Sequence, residues 1–282
     1  MTLREALERA SAQLDASSDL RADASRDALV LLLHMVGISR ANLHADPDRM
    51  LTPTQQTAYE AAIRRRLTNE PIQYITGEQE FYGLALHVTP AVLIPRPETE
   101  HLVEAVLNEL DPTAPLRILD IGTGSGAIAI ALAQHLPQCS VTAVDLSPAA
   151  LEVAAANAAL HNLTPRIRFV ESDLLDALPA SEMWDAIVSN PPYVATSDRD
   201  SLHPQVRDHE PAAALFAGAS GLDMYCRLIP QACAALKPNG LLALEIGHDQ
   251  HEVIAGLLAD WNAVYFIDDL QSIPRVALAR RP

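Results

Sequence analysis

Ile118-Leu119-Asp120-Ile121-Gly122-Thr123-Gly124-Ser125-Gly126 runs from an apolar stretch into three closely spaced glycines, and a helical pattern over 127–135 follows. The apolar stretch reads as a strand. The glycines permit a tight turn and let backbone N–H groups approach a bound group. With Ala127 the loop satisfies G-x-G-x-x-G/A, a mark of nucleotide-type α/β sheets. Outward from this unit the alternation continues. Strands are expected at 117–121, 141–145, 167–170, 186–189, 241–245, 264–267 and 276–279, with helices at 148–160, 222–236 and 250–259. Pro238-Asn239-Gly240 reads as a turn before the fifth strand. The expected fold class is α/β: a doubly wound, mostly parallel seven-stranded sheet with a small N-terminal helical domain.

Residues 1–71 carry helical periodicity. Thr2 and Glu5 have capping-box spacing, Gly37 closes the apolar run 28–36, and Thr52, Pro53 and Gln55 open a third helix that ends before Pro71. Phe81, Leu84, Leu86 and Val88 alternate around Gly83, as in a hairpin. The boundaries are therefore a helical domain at 1–71, a linker with a β-hairpin at 72–94, and the sheet domain at 95–282. Pro95 and Pro97 hold their stretch extended, and Pro97 can start a helix that continues through Leu107.

The chain has 282 residues, 49% of them hydrophobic, and 36 acidic against 20 basic residues give a formal charge of −16. Such a chain repels a phosphate backbone, so stable nucleic-acid binding is not expected. Cys139, Cys226 and Cys233 form no C-x-x-C pair, which argues against a disulfide framework or zinc ribbon. No apolar run approaches a bilayer span, and a cytoplasmic protein without membrane contact is expected.

The candidate cofactor site is Gly122, Thr123, Gly124, Ser125 and Gly126, with Asp145 at the end of the next strand. Asp145 can accept both hydroxyls of a ribose, which suits a nicotinamide cofactor and S-adenosyl-L-methionine equally. Asp173, after the third strand, can accept the exocyclic amine of adenine or cap a helix. Ser189-Asn190-Pro191-Pro192-Tyr193 ends the fourth strand. Consecutive prolines fix an extended backbone and leave carbonyls without competing N–H donors. The Asn190 side-chain oxygen and the Pro191 carbonyl form an acceptor pair for a planar NH2 group, with Tyr193 as a flat face. His248 and His251 have the spacing of a helix face, and no third metal ligand is placed near them; no metal is expected.

Gly122–Gly126, Asp145 and Asn190–Tyr193 together resemble class I S-adenosylmethionine-dependent methyltransferases acting on planar amino groups. Ile94-Pro95-Arg96-Pro97-Glu98-Thr99-Glu100, Glu70-Pro71-Ile72-Gln73-Tyr74-Ile75, His209-Glu210-Pro211 and Leu244-Glu245-Ile246-Gly247 resemble one branch, the release-factor glutamine methyltransferases of the HemK family. The resemblance covers essentially the whole chain. It implies S-adenosyl-L-methionine as cofactor and class I peptide chain release factors as partner, methylated at the glutamine of Gly-Gly-Gln. It implies substrate binding by Asn190, Pro191, Pro192 and Tyr193, with Asn190, Pro191 and Tyr193 catalytic. Asn190 also borders the cofactor, and Leu174 gives adenine an apolar wall. The helical domain would recognise substrate. Two stretches depart from the family pattern: Ala217-Gly218-Ala219-Ser220-Gly221-Leu222 and Gln271-Ser272-Ile273-Pro274-Arg275. The competing readings are a ribosomal-protein glutamine methyltransferase, an adenine-N6 nucleic-acid methyltransferase, a nicotinamide oxidoreductase and an idle cofactor-binding scaffold. The oxidoreductase reading leaves Asn190–Tyr193 without a task.

Overall fold

Strands buried on both faces need long apolar runs, and the second half of the chain supplies them. The computed structural model describes residues 1–282. Strands β1 (Glu78–Phe81) and β2 (Leu84–His87) form the hairpin, turned through Tyr82 and Gly83, both at positive φ. The main sheet holds β3 (Arg117–Ile121), β4 (Ser140–Asp145), β5 (Ile167–Glu171), β6 (Trp184–Ser189), β7 (Leu236–Glu245), β8 (Asn262–Asp268) and β9 (Pro274–Arg280). Their order is β5-β4-β3-β6-β7-β9-β8. β9 alone is reversed: it pairs antiparallel with β7 and with β8, and the other six strands point the same way.

Side chains alternate across the sheet, so each strand feeds two cores. Ile118 packs with the helices Thr99–Glu109 and Ala127–His135 on one face. Leu119 and Ile121 pack with Asp223–Ala235 and His251–Leu257 on the other. The order reverses at β3, which lies between β4 and β6. Ligands of such sheets bind at this switch point, beyond the strands' carboxyl ends.

Two compact units result, Met1–Glu78 with Ser201–His209, and Gln79–Asp200 with Glu210–Pro282. In the first, reciprocal capping boxes start the helices Leu3–Asp15 and Pro53–Arg66, and Gly37 ends Ala24–Val36 in the left-handed conformation. A buried Arg66–Asp27 pair at 2.7 Å and the Tyr59 hydroxyl on the Ala28 carbonyl lock these helices. No helix is long and apolar enough to cross a membrane.

The structure corrects the sequence expectations in three places. The segment Ser201–His209 joins the helical unit, not the sheet domain, because ring nitrogens of His203 and His209 reach the carbonyls of Asp19 and Thr68 at 3.2 and 2.9 Å. Residues Ile72–Thr76, expected in the linker, form a helix closed by Gly77. Pro238-Asn239-Gly240 lies inside β7 as a bulge: Leu236 pairs with Trp184 and Leu241 with Ala186, and Asn239 takes positive φ.

Candidate active site

The glycine loop leaves β3 with Gly122, Gly124 and Gly126 all at positive φ. Gly122 and Thr123 donate to the Val144 carbonyl at 2.9 and 3.0 Å, which ties the loop to β4. A Cβ on Gly124 would meet nothing within 4 Å, and one on Gly122 would meet only the Asn190 carbonyl, at 4.0 Å. The loop thus faces open space bordered by the proline motif. Gly126 has a different reason: a Cβ there would press on Ala154 and Ile130 at 3.1 Å. Thr123 and Ser125 are buried and turn inward, Thr123 donating to Asp120 at 2.6 Å, so they offer the open side their backbone. Asn157, fully buried, donates to the Ser125 and His87 carbonyls, both at 2.9 Å, and fastens the loop to β2.

Asp145 sits at the end of β4 with its carboxylate held at both oxygens. The N–H of Gly124 donates to one and that of Ser147 to the other, each at 2.9 Å. Its remaining lone pairs are aimed by these two donors. Leu146 beside it is 64% exposed, an apolar face that periodicity did not single out. Asp173 does not cap a helix with its side chain: one carboxylate oxygen pairs with Arg227 at 2.8 Å. Leu174, at φ 51°, turns its side chain into the core, so the exposed apolar surface next to the loop belongs to Leu146. Asp120 is fully buried behind the loop, and loss of water pushes its carboxyl up to about 7.

Asn190 and Tyr193 converge on one buried carboxylate. The Asn190 Nδ2 donates to Thr99 Oγ1 at 3.1 Å, and Thr99 Oγ1 donates to Glu245 Oε2 at 2.6 Å. The Tyr193 hydroxyl donates to Glu245 Oε1 at 3.3 Å. Burial pushes Glu245 up to about 7 against the pull of the Thr99 and Tyr193 hydroxyls, and burial likewise raises the Tyr193 phenol. Gln250 donates to the Tyr193 and Gly221 carbonyls at 3.0 and 3.3 Å, and fixes the backbone after the prolines. In the sequence Thr99 and Glu245 stood only in resembling stretches, Glu245 also at the end of the strand expected at 241–245. The available signal was one carboxylate closing the apolar run Leu241-Leu242-Ala243-Leu244.

The other candidates fall into place around this centre. Arg96 pairs with the buried Glu210 at 2.5 Å, whose other oxygen accepts from the Ile94 N–H at 3.2 Å. The two departing stretches keep their structural parts. Gly218 and Gly221 remain where a Cβ would strike Asp223 Oδ2 at 1.9 Å and the Tyr193 carbonyl at 2.3 Å. The second stretch delivers Arg275, ion-paired with Asp269 at 2.8 Å, and its charge acts on Glu245. His248 sits on Asp249 at 2.8 Å and His251 packs edge-on against Phe266, so the two are not brought to a common ligand.

Known proteins resemble this chain in sequence and in fold. The PrmC N-terminal domain family matches residues 5–77 and the methyltransferase small domain family residues 99–206. The release factor glutamine methyltransferase of Koribacter versatilis is 45% identical, covering 100% of this chain and 99% of that one. That of Moorella thermoacetica is 46% identical over 91% of this chain and 89% of its own. The 16S rRNA N2 G1207 methyltransferase of T. thermophilus, solved in complex with AdoMet and guanosine, shares the fold at TM-score 0.55 and 21% identity, covering 73% of this chain and 50% of that one. Identity of that order along the whole of both chains makes the protein a member of the release factor glutamine methyltransferase family.

Proposed function

We propose that this methyltransferase transfers a methyl group from S-adenosyl-L-methionine to the side-chain nitrogen of the glutamine in the Gly-Gly-Gln motif of class I peptide chain release factors. The residues fit that cofactor: the glycine loop borders open space, and the aimed Asp145 carboxylate suits two ribose hydroxyls. Exposed Leu146 offers adenine an apolar face, and the Asp173 oxygen not paired with Arg227 can take its amine. When bound, the cofactor supplies a methyl carbon on a positive sulfur, open to in-line attack.

An amide nitrogen is a poor nucleophile because its lone pair is delocalised into the carbonyl. Asn190 Oδ1 and the Pro191 carbonyl accept its two hydrogens and favour charge on nitrogen as the new bond forms. They also place the nitrogen at roughly 3–3.5 Å from the methyl carbon. Pro192 keeps this backbone extended, and the Tyr193 ring covers the amide plane and excludes water. The alkylated nitrogen is acidic enough to lose its proton to water, so no side-chain base is needed. The helical domain serves to recognise the release factor.

The observation that carries this reading is the Asn190 amide, turned with its nitrogen onto Thr99 at the end of β6, next to the glycine loop. Mass spectrometry of a release factor incubated with enzyme and cofactor tests it. One added methyl on the Gly-Gly-Gln glutamine is expected. Methylation of adenine in DNA or RNA, with the release factor unmodified, contradicts it.

A further inference from the structure

We infer that Thr99 and Glu245 are positioning residues that fix which end of the Asn190 amide faces the substrate. The inference rests on the proposed role of Asn190 as an acceptor. An amide side chain has two ends of nearly equal shape, and only the oxygen end can hold a substrate N–H. Nothing in the Asn-Pro-Pro-Tyr backbone chooses between them.

The choice is made by proton direction through two hydrogen bonds. Once ionised, at pH above its raised value of about 7, the Glu245 carboxylate accepts and cannot donate. Thr99 has one hydroxyl proton, and the 2.6 Å contact commits it to Glu245 Oε2. The face of Thr99 Oγ1 left for Asn190, 3.1 Å away, is therefore a lone pair. A lone pair admits Nδ2 and repels Oδ1, so the amide sits with its oxygen away from Thr99. The same carboxylate receives the Tyr193 hydroxyl on its other oxygen, at 3.3 Å, and so registers both ends of the quartet. The surroundings preserve this direction. Thr99 is 4% and Glu245 2% exposed, so water does not compete for these bonds. The Tyr225 hydroxyl donates to the Glu245 backbone carbonyl at 2.8 Å and fixes the strand end that carries the carboxylate. Thr99, Asn190 and Glu245 come from the start of a helix and the ends of two adjacent strands, so rigid elements hold all three.

Thr99→Val keeps the shape and removes the relay. Glu245→Gln keeps shape but gives Thr99 a neighbour that can donate, which releases the threonine proton towards Asn190. Replacing a buried carboxylate by its amide removes a desolvation cost, so Glu245→Gln is expected to fold at least as stably as the parent. The test is single-turnover methylation of a class I release factor by the full-length enzyme, with cofactor affinity by calorimetry and melting temperature measured on each variant. For Thr99→Val the methyl-transfer rate should fall by about 10–100-fold while cofactor affinity stays within about threefold. Glu245→Gln should also lose rate, by about tenfold, and Thr99→Ser should recover most of what Thr99→Val loses. In an Asn190→Ala background Thr99→Val should cost nothing further, because it acts through Asn190. Parental rates in both Thr99→Val and Glu245→Gln, or an undiminished Thr99→Val effect in the Asn190→Ala background, overturn the relay while Asn190 keeps its role. A parental rate in Asn190→Ala overturns both.

Discussion

Asp145 is held by two backbone donors, so its carboxylate is oriented before any ligand arrives. A charge-assisted hydrogen bond of this kind contributes about 1.5–3 kcal/mol. Asp145→Ala should therefore weaken cofactor binding by about ten- to a hundredfold, read by calorimetry on the folded variant. Two other carboxylates make a pH prediction. Burial raises Asp120 and Glu245 to about 7, from 3.8 and 4.5. Between those limits the native state holds protons that the unfolded chain has released. Stability must then fall as pH rises through that window. Carboxylates held low, such as Glu70 by its hydrogen bond from Arg65, act below it. The melting temperature should be higher near pH 5.5 than near pH 7.5, with a smaller difference in Glu245→Gln. A rise towards pH 7.5, unchanged in that variant, would contradict the assignment. Asp145 and Asn190 stood out as candidates in the sequence because each belongs to a local pattern with its own chemistry. Thr99 and Asn157 did not, because their meaning lies in partners distant in sequence: Glu245 and Asn190 for one, His87 and Ser125 for the other.

Elements whose signals are complete within a few residues were read correctly. The helices starting after Thr2 and Thr52 have N-cap and N3 partners in the sequence, and all seven sheet strands carry apolar runs. The helix Arg40–Ala45 went unread: it is short and its box closes with Asn42 in place of a glutamate or glutamine. Pro238-Asn239-Gly240 has turn chemistry, yet pairing on both sides of it keeps the stretch within β7. Strand order and the antiparallel β9 depend on packing between distant segments, which local periodicity does not encode. Gly221 belongs to the same scale. It combines φ +74° with a Cβ position 2.3 Å from the Tyr193 carbonyl, so Gly221→Ala must displace the quartet backbone or the loop. Strain of this kind costs about 1–3 kcal/mol. The expected outcome is a lower melting temperature and slower methyl transfer. Parental values for both would show that the loop yields freely.

At the scale of the molecule, the helical unit has its own buried core, and it includes Ser201–His209 from the middle of the chain. That inclusion could not be read from sequence, because His203 and His209 bond to carbonyls of turns that follow the N-terminal helices. Removing residues 1–78 should leave cofactor binding intact and abolish methylation of the whole release factor. The measurement pairs calorimetry with a methylation assay on the same truncated protein, since His203 and His209 lose their partners in it. Full activity on the release factor would remove the recognition role of the helical unit.

If the Asn190 amide carries the methyl-transfer step as proposed, the single-turnover rate of Asn190→Ala on a class I release factor must show it. Loss of one contact aimed at developing charge should slow transfer by about 10²–10³-fold. Cofactor affinity, measured alongside, should change far less. A near-parental rate in the folded variant would mean that Asn190 only shapes its loop and holds no substrate hydrogen.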